Sequence, residues 1–293
     1  VGTVFAYGAT GAGKTYTMSG REKNSRGEDN GAQGRSRNLD GLVPRSIRYL
    51  FQRIASLPSG ITMRVRASFY EIYNEFVYDL LAQSQRHPLP VRYDVKRGFF
   101  VQGLFEVEIR DLRDIMAVVD EGNSSRRVSS HLLNTESSRS HSLLTLYLHS
   151  EAKDAEDGHL VKTFGKVSFV DLAGSERLKK SKTANEKETA SINKSLMTLV
   201  AAADPSEIWV PYRDSTLTKL LMDSLGGSGL TLMVACVSPS ARHAEESAAT
   251  LNYAARARNI RNRPIVRIDA RERLINALRR EIGLLREENE LLR

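Results

Sequence analysis

Residues near the start of the chain have the types and spacing of a phosphate-binding loop. The segment fits the pattern G-x-x-x-x-G-K-[ST], in which backbone N–H groups surround phosphate oxygens without a Cβ in the way. The lysine of this pattern reaches the β- and γ-phosphates, and its final hydroxyl binds Mg²⁺. A glycine-rich loop ahead of an ordinary helix is the alternative. This P-loop comprises Gly8, Ala9, Thr10, Gly11, Ala12, Gly13, Lys14 and Thr15.

The segments on either side of the P-loop are those that the motif requires. Residues 1–7 (VGTVFAY) are β-branched and aromatic, which predicts a short buried strand. Residues 15–18 are predicted to begin a helix, whose N-terminus adds partial positive charge. The order strand, glycine loop and helix therefore favours phosphate binding.

Two later segments offer residues that could complete a nucleotide-hydrolysing site. Residues 134–141 (NTESSRSH) supply hydroxyls for Mg²⁺ and the γ-phosphate together with a cation. Residues 171–177 (DLAGSER) follow an apolar run, so Asp171 stands where a Walker B acid would. Gly174 would let a backbone N–H approach the γ-phosphate. Taken singly, the first segment could be a polar turn and the second a loop that ends a strand.

Strand-like and helix-like segments alternate along the chain, which predicts an α/β fold with a largely central sheet. The predicted strands lie in 61–81, in two short pieces within 91–109, and in 142–148, 161–172 and 230–237, the last of them buried. The predicted helices are 42–57, 112–121, 191–203, 212–225 and 244–260. Residues 21–41 and 178–189 are predicted to be polar loops.

Composition restricts the class of partner and the compartment. The chain has 293 residues, is 41% hydrophobic and carries a net charge of +8. This basic excess favours an acidic partner, whether nucleic acid, an anionic membrane or an acidic protein surface. Its one cysteine, Cys236, excludes an internal disulfide, suits a reducing compartment and lies in an apolar run typical of core packing.

The chain shows no targeting or membrane-spanning sequence. It contains no run of 18 apolar residues and no basic segment followed by an apolar one at its start. It begins at Val1 without an initiator methionine and inside a predicted strand. We therefore expect a fragment whose N-terminal part is missing.

The last segment has the heptad pattern of a coiled coil. Ile275, Ile282 and Asn289 take position a when Leu278, Leu285 and Leu292 take position d. Ile at a with Leu at d favours a parallel two-stranded coil, and a single Asn at a fixes its register. We expect a homodimer through 275–292, although an amphipathic helix packed on its own domain is the alternative.

Together, these segments resemble the kinesin motor domain over about residues 1–269. FAYGATGAGKTYTM is similar to its P-loop, NTESSRSH to its switch I (134–141) and DLAGSER to its switch II (171–177). INKSL, VPYRDSTLTKLL, DSLGG and TLMVACVSPS follow in the family's order. The resemblance implies a P-loop NTPase fold, with a mostly parallel or mixed central β-sheet flanked by helices. It divides the chain into a motor domain (1–259), a neck linker (260–269) and the start of a coiled coil (270–293).

The resemblance also implies which residues bind and hydrolyse ATP. Ser137 would close near the γ-phosphate, as would the backbone of Gly174. Arg139 and Glu176 would form an ion pair between the two switches and position the attacking water. Tyr16 stands where the family stacks a ring on adenine.

Mg²⁺ is the second implied ligand. Thr15 and Ser138 would supply hydroxyls to the ion, and Asp171 would hold a water bound to it. Glu176→Ala is then expected to retain ATP binding and to stop hydrolysis.

A microtubule is the partner that the resemblance implies for the basic excess, because tubulin has an acidic surface. Ordinary solvated surface is the alternative for each residue of this predicted face. The face comprises Lys179, Lys180, Lys182, Lys187, Lys194, Arg213 and Lys219. Thr216 stands on it where the family usually has lysine, and Ala9 and Ala12 also depart from the usual P-loop.

We therefore expect a microtubule-stimulated ATPase motor of the cytoplasm and its cytoskeleton. A linker that follows the motor core resembles that of plus-end-directed kinesins, which implies the same direction here. A non-motile dimer that binds or cross-links microtubules with little ATP turnover is the rival. A nucleic-acid binder is disfavoured because no recognition module is visible. A Ras-like switch is disfavoured because no guanine-selecting N-K-x-D is visible.

Overall fold

The computed structural model describes most of the chain. Several predicted segments fall outside it: most of the loop at 21–41, the loop at 178–189 and the helix at 191–203. The described residues are 1–20, 40–82, 87–95, 98–132, 137–153, 160–176, 212–260, 262–263 and 270–292.

An eight-stranded mixed sheet forms the centre of the molecule. The described strands are β1 (Gly2–Tyr7), β2 (Ile61–Tyr73), β3 (Phe76–Asp79), β4 (Pro88–Leu89), β5 (Val91–Asp94), β6 (Gly98–Val101), β7 (Val107–Ile109), β8 (His141–Lys153), β9 (Leu160–Asp171) and β10 (Leu230–Ala235). The order in the sheet is β10-β1-β9-β8-β2-β3-β4, with β7 paired to β2, and β5 and β6 form a separate hairpin. Parallel pairing in this sheet joins β1 to β9 and β10, and the other described pairs are antiparallel.

The register of three strands brings their functional ends to one edge of the sheet. Asp171, the last residue of β9, pairs with Ala6 near the end of β1 on one side. On the other side it pairs with Ser142, near the start of the antiparallel β8. The P-loop follows β1, switch II follows β9 and switch I precedes β8. All three segments must therefore meet at this edge.

Helices cover both faces of the sheet. The described helices are α1 (Lys14–Ser19), α2 (Leu42–Ala55), α3 (Leu112–Leu132), α4 (Thr216–Leu220), α5 (Ala244–Ala257) and α6 (Ala270–Leu291). One face buries Met18, Ile47 and Ile115 from the first three helices against the sheet. The other face buries Leu217 and Tyr253 from α4 and α5.

Close packing of α3 on the sheet requires a glycine within the helix. A Cβ on Gly122 would lie 2.1 Å from Cδ1 of Phe69, a residue of β2. The absence of a side chain here lets the helix backbone approach the Phe69 ring. This close approach holds the second half of α3 near the functional edge of the sheet.

Two predictions of helices were wrong in extent. The helix predicted at 112–121 continues to Leu132. The helix predicted at 212–225 is broken into two 3-10 turns, Tyr212–Asp214 and Met222–Ser224, on either side of α4.

The strand predicted to be buried at 230–237 is partly exposed. It forms β10 over Leu230–Ala235, and Leu230 is 65% exposed. Because β10 is the last strand in the order of the described sheet, one of its sides lacks a neighbouring strand. None of the helices in the described part of the chain is long and apolar enough to cross a bilayer.

Candidate nucleotide-binding site

The P-loop turns sharply from β1 into α1. Gly13 has a φ of +93°, a left-handed conformation that disfavours other residues, and it precedes the first residue of the helix. The backbone N–H of Ala12 donates to the carbonyl of Ala9 at 3.1 Å. The predicted order of strand, loop and helix is therefore present.

Lys14 is buried beneath this loop. Its Nζ donates to the carbonyl oxygens of Gly8 and Ala9, each at 2.9 Å. Burial lowers the pKa of the amine, and the carboxylates of Asp171 and Glu176 act against that change. The ammonium is thus held between the P-loop and two carboxylates of switch II.

Thr15 and Asp171, two of the predicted metal-site residues, are in contact. The Thr15 hydroxyl donates to Oδ2 of Asp171 at 2.7 Å. Oδ1 of the same carboxylate is buried and accepts no hydrogen bond among the described residues. A buried carboxylate oxygen beside a P-loop hydroxyl suits Mg²⁺ or one of its waters, because Mg²⁺ prefers oxygen ligands. These residues therefore fit the predicted ion.

Arg126 is a site residue that the sequence analysis missed. Its Nη1 lies 3.0 Å from Oδ2 of Asp171, and the side chains are only 8% and 9% exposed. Its Nη2 donates to the carbonyl of Ser140 at 3.1 Å, and its Nε lies 3.9 Å from Oε1 of Glu71. The guanidinium thus joins α3 to the ends of β8 and β9.

A periodic signal for Arg126 was present in the sequence. Ile115, Val119 and Gly122 face the sheet at steps of four and three residues. One more step of four reaches Arg126, so a helix continued to that point would place its side chain inward.

Backbone hydrogen bonds hold switch II against switch I and the P-loop. The N–H of Gly174 donates to the carbonyl of Ser138 at 2.7 Å, and the N–H of Ser175 donates to that of Gly8 at 3.1 Å. The N–H of Ala173 donates to Nδ1 of His141 at 3.0 Å. Three segments far apart in the chain are therefore in direct contact.

His141 is neutral within this cluster. Burial lowers its pKa to about 3, and the positive charges of Arg126 and Lys14 act in the same direction. The neutral ring can accept at Nδ1, as the bond from Ala173 requires.

Glu176 lies on the P-loop. Its carboxylate accepts two hydrogen bonds from Thr10, from the backbone N–H at 2.8 Å and from the hydroxyl at 2.5 Å. Arg139 is half-buried in the 3-10 turn Ser137–Arg139. The ion pair between Arg139 and Glu176 stays a prediction.

The other predicted site residues are placed as follows. Tyr16 is exposed near the start of α1, where its ring is accessible for stacking. Ser137 opens the 3-10 turn of switch I, next to Ser138. Gly11 has a φ of +77° within the P-loop.

The predicted microtubule face is only partly described. Arg213 is exposed and Lys219 is half-buried. Lys179, Lys180, Lys182, Lys187 and Lys194 lie outside the described residues. The expectation that Thr216 lies on this surface was wrong, since it is only 6% exposed and its hydroxyl donates to the carbonyl of Glu75 at 2.8 Å.

The mixed sheet, the P-loop and the two switch segments at its edge define a P-loop NTPase. Comparison with known proteins makes the class more specific, because the kinesin motor domain family matches residues 1–260. The chain belongs to the kinesin motor domain family. Motor domains of this family are ATPases.

Individual relatives agree with this assignment. Mouse kinesin-like protein KIF12 is 43% identical over 99% of this chain and 46% of its own length. Kinesin-like protein KIN-5B of Arabidopsis thaliana is 42% identical over 89% of this chain and 26% of its own length. The solved structure of a fast kinesin superposes with a TM-score of 0.78 at 35% identity, covering 91% of this chain and 72% of that one. The chain thus spans less than half the length of these two relatives.

Proposed function

We propose that this chain is the ATP-hydrolysing, microtubule-binding part of a plus-end-directed motor. Three segments of the chain converge on one phosphate site, and this convergence carries the proposal. The ammonium of Lys14 in the P-loop interacts electrostatically with the carboxylate of Asp171 in switch II. The N–H of Gly174 in switch II donates to the carbonyl of Ser138 in switch I. A site assembled from three separate segments of the chain can respond to the presence of a terminal phosphate.

Each segment has a separate task in hydrolysis. Lys14 would stabilise charge on the β- and γ-phosphates, and Thr15, Ser138 and Asp171 would hold Mg²⁺, directly or through water. When bound, Mg²⁺ would supply positive charge that offsets the negative charge on the transferred phosphoryl group. Glu176 orients the attacking water when it is paired with Arg139.

The start of the proposed neck linker is anchored on the motor core. The N–H of Gly226 donates to Oδ1 of Asn262 at 2.7 Å, and the N–H of Arg263 donates to the carbonyl of Gly227 at 2.9 Å. Nδ2 of Asn262 donates to the carbonyl of Ser224 at 3.0 Å. This attachment supports a role for 260–269 in passing a change in the core to the coil.

The coil itself is proposed to join two motors. Leu278, Ile282 and Leu285 lie at a and d positions of α6 and are exposed in the single chain. A row of exposed apolar side chains on one helix face favours a second helix as its cover. A parallel homodimer through 275–292 is therefore the proposed assembly.

Phosphate release by the 293-residue chain, with and without microtubules, tests the proposal. Release should rise severalfold when microtubules are added, because the family's track stimulates turnover. Lys14→Ala should lower the stimulated rate by at least about 100-fold, since it removes a donor to the transferred group. Lys162→Ala is the matched control, because this lysine is exposed at the far end of β9 and pairs there with Glu151 at 3.1 Å.

The result also separates the rival function. Binding of the chain to microtubules without stimulated phosphate release would favour a non-motile cross-linking dimer. Equal rates of phosphate release for Lys14→Ala and Lys162→Ala would show that the P-loop does not contribute to hydrolysis.

A further inference from the structure

The carboxylate of Glu176 uses hydrogen-bond donors of the P-loop. It accepts from both the backbone N–H and the hydroxyl of Thr10, at 2.8 and 2.5 Å. Thr10 belongs to the loop whose backbone N–H groups bind phosphate oxygens in this class of fold. An anionic side chain of the protein therefore occupies hydrogen-bond donors of the loop that binds nucleotide phosphates.

Gly174 makes this contact possible. A Cβ at this position would lie 2.4 Å from each carboxylate oxygen of Glu176 and 2.4 Å from the hydroxyl oxygen of Thr10. Its backbone is not among those with positive φ. A side chain at position 174 would push the Glu176 carboxylate away from Thr10, so this contact depends on the glycine through space rather than through backbone conformation.

The turn that carries Glu176 is fixed in place. Ser175, the preceding residue, donates its N–H to the carbonyl of Gly8, and Gly174 donates to that of Ser138. The carboxylate is therefore aimed at Thr10 by backbone hydrogen bonds from both the P-loop and switch I. A chance contact of the long Glu176 side chain is therefore a poor explanation for its two hydrogen bonds with Thr10.

We propose that Glu176 is a resident anion that a nucleotide phosphate displaces from Thr10. This inference rests on the proposed function and extends it to the step before hydrolysis. Once displaced, the carboxylate is free to take Arg139 as its partner. A single change of partner by the Glu176 side chain, from Thr10 to Arg139, then couples phosphate binding to formation of the ion pair that positions water.

The exchange has a measurable cost. Hydrogen bonds to a carboxylate are stronger than those between neutral groups, and those from Thr10 must be given up before phosphate binds. The apparent affinity for nucleotide is reduced by the fraction of molecules in which Thr10 is occupied. Weakening the contact should therefore tighten nucleotide binding.

Equilibrium titration with the non-hydrolysable ATP analogue AMPPNP and Mg²⁺ tests this prediction. Glu176→Asp keeps the charge but shortens the side chain by one methylene, so the carboxylate no longer spans to Thr10. We expect its Kd to fall about threefold to tenfold relative to the unmodified chain. An equal Kd for the two proteins would overturn the proposal.

Two further variants distinguish displacement from simple charge repulsion. Glu176→Gln removes the charge as well, and repulsion alone would tighten binding in this variant but not in Glu176→Asp. Glu151→Gln is the matched control for net charge. It lies about 30 Å away along β8, nine residues from Ser142 at about 3.3 Å each.

Failure of the proposed function has a different signature. If the unmodified chain binds no AMPPNP but Glu176→Asp does, displacement is supported and ATPase function is not. If neither protein binds, both are overturned.

A double-mutant cycle on thermal stability gives a second test that needs no change in affinity. Thr10→Val removes the hydroxyl and keeps the backbone N–H, and Glu176→Asp removes the carboxylate from its reach. The two changes should be coupled in the chain alone and additive with saturating Mg²⁺ and AMPPNP, because the contact is then already broken. Coupling that persists with the analogue bound would overturn displacement.

Discussion

Arg126 should be worth more to stability than any exposed arginine on the same helix. Its guanidinium lies 3.0 Å from Oδ2 of Asp171 and donates to the carbonyl of Ser140, with both charged side chains buried. Arg126→Met keeps most of the apolar stem and removes the charge. The carboxylate of Asp171 is then left buried without the guanidinium, its hydrogen-bonded cation.

The magnitude follows from this burial. Removing one partner of a buried ion pair costs about 3–5 kcal/mol. Asp171 retains the hydrogen bond from Thr15, so we expect the lower end, about 3 kcal/mol. A change of this size should lower Tm by about 5 °C for a chain of this length.

The neighbouring arginine provides the matched control. Arg127 is exposed and its Nη2 donates to Oγ of Ser124 at 3.2 Å. Arg127→Met should stay within about 0.5 kcal/mol of the unmodified chain. Thermal unfolding followed by circular dichroism measures both variants. Equal Tm values for Arg126→Met and Arg127→Met would refute the assignment of a buried structural pair.

Two further predictions concern pH and assembly. The pKa of His141 in the fold is about 3, below its ordinary value, so protonation favours the unfolded chain as pH falls. The stability that the neutral ring contributes is complete above about pH 6.5 and is lost towards pH 3. His141→Asn, whose side-chain oxygen can still accept from the N–H of Ala173, should flatten the fall of Tm between pH 6 and 4. An unchanged slope would contradict protonation of His141 as the cause. Leu285→Asp, at position d, should convert a dimer to a monomer by light scattering, whereas Leu284→Asp, at the outward position c, should not.

The sequence predicted the meeting of the P-loop and the two switches better than the helices around them. The P-loop and the two switches have residue types that only a few arrangements can use, so their convergence could be expected. Arg126 was missed because the predicted helix ends at residue 121, whereas the observed helix continues to Leu132. The following stretch, 122–127 (GNSSRR), has no apolar period, and the buried face continues through a glycine and an arginine.

The sequence alone does not determine which residue the Glu176 carboxylate contacts. Thr10 and Arg139 both offer hydrogen-bond donors to a carboxylate, and Thr10 is 166 residues away in the chain. What selects Thr10 is the position of the switch II turn, which depends on backbone hydrogen bonds to Gly8 and Ser138. The same limit applies to Thr216, whose burial depends on the turn at Glu75.

Strand register, more than any single side chain, assembles this site. Asp171 pairs with Ala6 on one side and Ser142 on the other, so the ends of three strands are aligned by the same residue. A slip of β9 by one residue would turn every side chain of the strand to the opposite face of the sheet. Asp171 would then point away from Thr15, with the P-loop sequence unchanged. The chemistry of the site therefore depends on the apolar residues of β1, β8 and β9, because their burial fixes the register.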